Sequence, residues 1–281
     1  MEDTLMASGD LSRIRTNISA LNALQALQRV NGQLTSTNLK LATGKRINSA
    51  GDDPAGLSLA TTLDVRARRI GQAISNVGDA ENVLNIAEGG LQSMVDLLSQ
   101  MGEKVIQAAS DTQGVTEKSA IQSELNQLLE EIDSLAANTQ FNGVVLLTTG
   151  GLTFQSGPDG VNTTRFALTH NFTSAALGIN ALTVATQALA SASLASLDAA
   201  ITSIKADLQL AGASIERLRV KGDNLTSSQL NVKAAQSRIM DADLASEQLK
   251  KSTLEILQQT ATAQLAAANT APASILALFR Q

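Results

Sequence analysis

The chain of 281 residues is 43% hydrophobic but only 2% aromatic, with no Trp and no Tyr, so its apolar residues are mostly Ala, Leu, Ile and Val. This composition favours helix interfaces over a β-sandwich or barrel. A net charge of −5 argues against nucleic acid as the main partner, and the absence of Cys excludes disulfides and thiolate sites. With His170 as the only histidine, we predict no metal, no cofactor and no enzyme activity.

Both ends of the chain contain long segments without charge. Residues 1–10 are acidic and lack an apolar core, so they predict no secretory signal peptide. Residues 16–28 and 256–279 are uncharged and rich in Ala, Leu, Gln, Asn, Ser and Thr, and the polar residues in the second segment argue against a membrane span. Such helices gain little alone in water, whereas the missing charges avoid unpaired buried ions when many copies pack together.

We therefore predict that the ends become ordered on assembly, the alternative being frayed termini without a role. The side chains assigned to packing between subunits are Ile18, Leu21, Leu24, Leu27, Leu257, Leu265, Ile275, Leu276, Leu278 and Phe279.

Residues 44–54 interrupt the helical pattern near the first end. Gly44 is suited to stop a helix, and the Gly and polar residues after it favour a non-helical link. An Asp can cap the next helix, and Pro is favoured in its first turn. The predicted hinge comprises Gly44, Asn48, Gly51, Asp52, Asp53 and Pro54.

A heptad repeat follows the link. An apolar residue recurs at every seventh position, and Ala or Met follows each of these three positions later from residue 73 onwards. This pattern predicts one long helix packed on partner helices, roughly 78 Å long over residues 57–108. The repeat positions are Leu63, Ile70, Val77, Leu84, Leu91, Leu98 and Val105.

The rest of the chain is predicted to return along this helix. Residues 111–115 form a turn, and a shorter helix follows. Residues 141–180 contain four of the five Phe and predict a small β cap, with strands at 152–154 and 164–169 and a turn at 157–160. His170 is expected to be an ordinary surface or cross-strand residue. A second heptad repeat comprises Leu197, Ile204, Ala211, Leu218, Leu225, Val232 and Ile239.

Several segments resemble bacterial flagellin. Residues 15–23 (RTNISALNA) resemble the opening motif of the family, and residues 41–57 (LATGKRINSAGDDPAGL) resemble its most recognisable segment. Further matches occur in family order at residues 131–143, 235–243, 256–259 and 266–280. The matching parts cover about four fifths of the chain and leave out the family's variable region, between residues 150 and 188.

The resemblance implies a mainly α subunit of the flagellar filament. Its fold would be a long antiparallel helical hairpin or coiled-coil bundle, with paired terminal helices and a small β cap at the tip. Residues 1–48 and 244–281 would form the inner filament layer, 49–140 and 181–243 the coiled-coil rod, and 141–180 the solvent-facing cap.

The same resemblance implies the partners and the location. The partners would be other copies of the chain in a homopolymer, the flagellar type III export apparatus with a secretion chaperone, and the filament cap and hook-junction proteins. No nucleic acid and no membrane partner is expected. The location would be the secreted, extracellular filament used for motility, with a periplasmic filament as the alternative. Because the opening motif lies later than usual, translation from Met6 rather than Met1 stays open.

An animal innate receptor reads an exposed rod face of flagellins. The pattern that it recognises resembles Gln-Arg-Val-Arg-Glu-Leu-Ala-Val-Gln, whereas residues 99–107 here read Ser-Gln-Met-Gly-Glu-Lys-Val-Ile-Gln. Gln100 therefore replaces an Arg, Lys104 replaces a Leu, and Glu124 matches the third contact position. The lost guanidinium fork and the lost apolar side chain predict weak receptor binding.

Three alternative functions remain at this point. A hook–filament junction protein would share the terminal helices but usually has a larger, less helical centre. A non-flagellar antiparallel coiled-coil adaptor would not explain uncharged segments at both ends. A metallopeptidase variant of flagellin would need a His-Glu-x-x-His insertion.

Glycosylation is a further hypothesis, and its candidate acceptors are Thr163, Thr164, Thr169, Thr173 and Ser174.

Overall fold

The computed structural model describes residues 16–148 and 151–278, with side chains through residue 270. Within these residues the helices are α1 (Ile18–Thr43), α2 (Pro54–Ala109), α3 (Val115–Asn138), α4 (Gln187–Met240) and α5 (Leu244–Leu278). The strands β1 (Gln140–Phe141), β2 (Val144–Val145), β3 (Leu152–Gln155) and β4 (Thr163–Phe166) form two separate antiparallel hairpins. Among the described helices, none is long and apolar enough to cross a membrane. The predicted mainly α fold class with small β elements is confirmed.

The chain divides into two compact units. The first, here called the terminal unit, comprises Met1–Asp64 and Lys233–Gln281, and the second, the central unit, comprises Val65–Val232. The two long helices α2 and α4 each contribute to both units.

Heptad positions form the interior of the central unit. On α2, every repeat position from Ile70 to Val105 is buried, and α4 runs antiparallel to it with its own buried repeat positions. Small residues three positions after the repeat, such as Ala80, are fully buried and allow the helices to approach closely. The buried positions on α4 are Leu197, Ile204, Ala211, Leu218 and Leu225, whereas Leu63, Val232 and Ile239 are half-buried.

The turn between α2 and α3 lies where the sequence predicts it. The backbone N–H of Gln113 donates to the Ser110 carbonyl, and Gly114 precedes the first residue of α3 in an extended conformation. The α3 helix then buries Leu125 and Ile132 in the same core as α2. A local polar segment with Gly therefore reverses the chain.

The β1–β2 hairpin was not predicted. Its pairs Gln140↔Val145 and Phe141↔Val144 leave a two-residue turn, Asn142-Gly143, in which both residues have positive φ, 48° and 78°. Asn-Gly is the preferred sequence for this turn because both residues tolerate the left-handed region. The Asn142-Gly143 dipeptide could therefore have predicted this hairpin from the sequence.

The β3–β4 hairpin is shorter than predicted at its second strand. The register runs from Leu152↔Phe166 to Gln155↔Thr163, so β4 ends at Phe166 and the predicted strand at 164–169 is wrong in its end point. A lysine holds the hairpin: Nζ of Lys221 on α4 donates to Oγ of Ser156 at 2.5 Å and Oγ1 of Thr164 at 3.2 Å. These hydroxyls are nearly fully buried, so the lysine cation is bound where water has little access.

Two of the proposed glycosylation acceptors lie in the interior. Thr164 and Ser174 are 8% and 6% exposed. The Ser174 N–H and hydroxyl both donate to the carboxylate of Asp133 at 2.7 Å. A buried, bonded hydroxyl cannot receive a sugar in the folded chain, so the expectation that these two residues are exposed acceptors is wrong.

A buried carboxylate on α4 binds the segment after β4. Asp207 is fully buried and accepts hydrogen bonds from the Thr169 hydroxyl, the Thr169 N–H at 3.1 Å, the His170 N–H at 3.2 Å and Nδ1 of His170 at 2.9 Å. Because β4 ends at Phe166 and His170 is exposed, it is the surface residue of the two predicted alternatives and not the cross-strand one. Burial raises the pKa of Asp207, but the hydrogen bonds from Thr169 and His170 outweigh it and hold the pKa below the ordinary value.

We expect the substitution Asp207→Asn to destabilise the central unit. The loss of charge-assisted hydrogen bonds should lower the free energy of unfolding at neutral pH by about 1.5–3 kcal/mol. Because the pKa of Asp207 is lowered on folding, its carboxylate stabilises the fold above the unfolded pKa, about 3.9, and this contribution is lost as the pH falls towards the folded pKa. Denaturant unfolding of both proteins at pH 7 and at pH 3 measures the effect, and the difference between them should shrink in acid.

The control for this prediction is Asp198→Asn, which removes an exposed carboxylate from the same helix. It should leave stability unchanged. A stability of Asp207→Asn equal to that of the control at pH 7 would contradict the anchoring role of the buried carboxylate.

Candidate assembly surface and joint

The terminal unit pairs α1 with α5 in antiparallel fashion. Near one end of the pair, Nδ2 of Asn17 donates to the Ala268 carbonyl at 2.6 Å. Farther along, Nε2 of Gln258 donates to Oδ1 of Asn31 at 2.7 Å. Both bonds join residues more than two hundred positions apart, so α1 and α5 lie side by side.

The α1–α5 pair is held by one stripe of less exposed positions, here called the seam. On α5 the less exposed positions follow a strict 3–4 spacing, and only Leu254 among them is fully buried. On α1 the one fully buried residue is Thr37. The seam positions on α5 are 247, 251, 254, 258, 261, 265 and 268. A single seam covers only one stripe of each helix, so the opposite faces remain in contact with solvent.

Large apolar side chains project from those uncovered faces. Ile18 and Leu21 are each 52% exposed, and Leu257 is 47% exposed. Leu249 and Ile256 on α5 are more exposed still, although the sequence reasoning did not single them out. Their positions off the 3–4 stripe were the signal that could have identified them. An apolar set of this size on two paired helices is a candidate surface for other copies of the chain.

The predicted packing residues fall into four groups. Ile18, Leu21, Leu24 and Leu257 are exposed, whereas Leu27 and Leu265 are half-buried, Leu265 on the seam within one chain. Ile275, Leu276 and Leu278 belong to the last turns of α5, and Phe279 lies outside the described residues.

The links that follow α1 and α4 are bonded to each other and form one joint, defined here as residues 44–53 and 241–243. The Arg46 N–H donates to the Met240 carbonyl at 2.6 Å, and the Ala242 N–H donates to the Gly44 carbonyl at 2.9 Å. The Arg46 guanidinium also donates to the Ile239 carbonyl at 2.8 Å, so it caps the end of α4. The sequence reasoning missed Arg46 because its partners are remote along the chain.

The predicted hinge residues lie in this joint or, in the case of Pro54, directly after its first link. Gly44 ends α1 in the left-handed region at φ 67°, and Pro54 is the first residue of α2. Oδ1 of Asp53 accepts from the Gly56 N–H at 2.9 Å and caps α2. Asn48 donates its side-chain amide to the Lys45 carbonyl at 2.9 Å. The joint is therefore built from helix-terminating and capping chemistry.

Asp52 accepts hydrogen bonds across the turn between α1 and α2. Its Oδ2 accepts the N–H groups of Asn48 at 3.0 Å and Ser49 at 2.9 Å, and the Asp52 N–H donates back to the Ser49 carbonyl across a turn that contains Gly51. These backbone donors hold the pKa of Asp52 below its ordinary value. The carboxylate is therefore ionised at neutral pH and accepts these backbone hydrogen bonds.

The receptor-face positions lie on α2 and α3 in the central unit. Gln100 is exposed, and Nζ of Lys104 forms an ion pair with Oε1 of Glu124 at 2.6 Å. The structure thus joins two of the three predicted positions directly. Within residues 16–148 and 151–278, no group of three His, Cys, Asp or Glu residues is placed to hold a metal ion.

Comparison with known families gives two matches that together span most of the chain. The model described as "Bacterial flagellin N-terminal helical region" matches residues 14–151, and the model described as "Bacterial flagellin C-terminal helical region" matches residues 194–279. The first match contains α1 and residues 44–53 of the joint, and the second contains residues 241–243 of the joint, most of α4 and all of α5.

Individual relatives agree with these matches. Flagellin FlaB1 of Treponema pallidum is 31% identical, covering 95% of this chain and 99% of the relative, and flagellin of Bacillus subtilis is 32% identical, covering 95% and 100%. A solved structure of a putative flagellar hook-associated protein from Vibrio parahaemolyticus superposes with a TM-score of 0.58 at 19% identity, covering 68% of this chain and 100% of the other. That structure shares the fold alone. On the two family matches and the near-complete alignments, the chain belongs to the bacterial flagellin family.

Proposed function

We propose that this chain is a structural subunit that polymerises into the bacterial flagellar filament. The observation that carries the proposal is the apolar surface of α1 and α5, which the single seam between the two helices leaves uncovered. The family supports the same role, since relatives that align over nearly their whole length include a flagellar filament core protein of Treponema phagedenis, at 32% identity.

Such a protein performs its function through the free energy of binding between its copies. Burying one large aliphatic side chain contributes about 1.5–3 kcal/mol, and every subunit added to a filament contributes its own set of exposed side chains. Ile18, Leu21 and Leu257 supply such side chains, and the absence of charge in residues 16–28 and 256–270 avoids unpaired buried ions. The inner-layer role of the terminal helices and the hinge role of the joint belong to this proposal.

The proposed location is the secreted, extracellular filament. Family membership supports the export apparatus, a secretion chaperone, the filament cap and hook-junction proteins as partners. The three-part division into inner layer, rod and solvent-facing cap remains part of the proposal. No observation on this chain favours a junction protein instead, because the hook-associated structure is similar in fold only.

Seeded polymerisation followed by limited proteolysis tests the proposal. Full-length protein mixed with short seeds should form long polymers that sediment, whereas protein without seeds should remain in the supernatant. Protease should trim both ends of the unpolymerised chain to a core near residues 50–240, because a single seam protects α1 and α5 poorly. Polymerised chains should resist this trimming. Small oligomers of fixed size, with equal trimming before and after seeding, would point to a coiled-coil adaptor.

Weak activation of the innate flagellin receptor is a second expected property of the monomer. Lys104 stands where the recognised pattern has an apolar residue, and it is paired with Glu124 at 2.6 Å. A receptor that buries this face must either desolvate the ion pair or separate it, and both cost free energy. Gln100 cannot form the two parallel hydrogen bonds that an Arg would form.

A receptor-reporter assay measures this property. The double variant Gln100→Arg, Lys104→Leu should activate more strongly than the unmodified monomer, by about tenfold or more, since one desolvated contact is worth 1.4 kcal/mol or above. The matched control is Lys118→Leu, which makes the same Lys-to-Leu change on α3 at a position outside the recognised pattern. Strong activation by the unmodified monomer would contradict the prediction.

A further inference from the structure

One described residue other than Gly has a left-handed backbone conformation, and it precedes a Gly. Asn142 has φ 48° and Gly143 has φ 78°, and together they form the whole turn between β1 and β2. Each of these strands has only two residues. So short a ladder has little cooperative strength, and the turn opens at low cost compared with a helix interior.

The side chain and backbone at this turn are free to react. Both residues are exposed, and among the described residues neither the Asn142 carboxamide nor the Gly143 N–H has a hydrogen-bond partner. The β1–β2 register leaves both residues outside the strand pairing. Gly143 also lacks a side chain that would shield its nitrogen from the neighbouring carboxamide.

We propose that Asn142 is a site of spontaneous deamidation in the folded protein, with water as the co-reactant. The Gly143 nitrogen loses its proton to solvent and attacks Cγ of Asn142, forming an N–Cγ bond. The Cγ–Nδ2 bond breaks, and the amide nitrogen takes up a proton from water and leaves as ammonia. Water then opens the five-membered succinimide at either carbonyl. One product has Asp at position 142, and the other has isoaspartate, whose main chain passes through Cβ and Cγ.

The chain contains a second Asn-Gly pair that serves as an internal control. Asn31-Gly32 lies in the middle of α1, where the Gly32 N–H belongs to the helical hydrogen-bond ladder. The Asn31 carboxamide is also engaged, because its Oδ1 accepts from Nε2 of Gln258 at 2.7 Å. With the attacking nitrogen and the target carboxamide both held, Asn31 should be protected wherever α1 is helical.

The modification would alter a defined part of the central unit. Isoaspartate adds one atom to the main chain of a two-residue turn, so the pair Phe141↔Val144 can no longer keep its register. The change should stay local, because the chain re-enters the core directly after β2: Leu147 is fully buried and its carbonyl accepts the Phe172 N–H at 3.1 Å. Either product also places a new negative charge beside the exposed side chains of Phe141 and Val144.

Peptide mass spectrometry after timed incubation at mildly alkaline pH tests the proposal. Three samples of the full chain are compared: folded monomer, seeded filaments and protein in denaturant. In the folded samples the peptide containing Asn142 should accumulate Asp and isoaspartate at a rate within about tenfold of the denatured rate. In filaments Asn142 should convert about tenfold or more faster than Asn31, whereas in denaturant the two should convert alike.

Two further results complete the test. The variant Asn142→Gln should keep the circular dichroism of the parent and lose the signal at this peptide, since the longer side chain forms its ring far more slowly. An Asn142 amide that stays intact in folded monomer while the denatured chain converts would overturn the proposal. Conversion of Asn31 as fast as Asn142 in filaments would also overturn it, because the turn would then confer no selectivity.

Discussion

Filament growth should stop when Leu21 and Leu257 are both replaced by Asp. These side chains are 52% and 47% exposed on α1 and α5, so they contribute little to the interior of a single folded chain. If neighbouring copies bury them, each substitution removes about 1.5–3 kcal/mol of burial and adds the cost of desolvating a carboxylate. The loss of 3 kcal/mol or more per subunit raises the concentration needed for growth by about a hundredfold or more.

Seeded sedimentation over a range of protein concentrations measures this effect. The central unit should be untouched, because neither residue belongs to Val65–Val232. Circular dichroism and thermal unfolding of the variant should therefore match the parent, which separates an assembly defect from misfolding.

A matched control comes from the central unit. Val161 is 87% exposed in the turn between β3 and β4, and Val161→Asp introduces the same charge at an exposed apolar position. This variant should polymerise normally if the β elements face solvent in the filament. Normal growth of the Leu21→Asp, Leu257→Asp variant would refute the assignment of the terminal helices to subunit contacts, and failure of the control would show that any added charge is harmful.

The helices and their ends could be predicted from the sequence because the interactions that form them are local or periodic along the chain. The heptad repeat from Ile70 to Val105 corresponds to a row of buried side chains, since a seven-residue period keeps one face of a helix towards its partners. Gly44 and Pro54 mark the end of α1 and the start of α2 because each acts through its own backbone geometry. Such signals need no knowledge of the tertiary structure.

Hydrogen bonds between polar residues that are distant in the sequence could not be predicted in this way. The Arg46 guanidinium reaches a carbonyl 193 positions away, Asp207 binds residues 37 and 38 positions away, and Lys221 binds Ser156 across 65 positions. A charged residue in a helical pattern looks like a solvated surface residue until its partner is known. The joint could thus be located from its local residues, whereas the bond between its two links could not.

Gly44→Val should alter filament shape without unfolding the central unit. Gly44 has φ 67°, a region that a β-branched residue adopts only with strain of roughly 1–3 kcal/mol. A Cβ at this position would meet no atom within 4 Å, so the expected effect arises from the backbone and not from a collision. Relief of the strain would rotate the link and weaken the 2.9 Å bond from the Ala242 N–H to the Gly44 carbonyl.

The matched control is Gly44→Asn at the same position, because Asn tolerates the left-handed region far better than Val. Electron microscopy of filaments and swimming assays of cells that carry each variant separate the two cases. The Val variant should give filaments of changed curvature or cells that swim poorly, since one misdirected link is repeated in every subunit along the filament. The Asn variant should give filaments close to those of the parent. If both variants keep the parental waveform and swimming, the joint bends too easily for its backbone geometry to set the shape of the filament, and the hinge assignment fails.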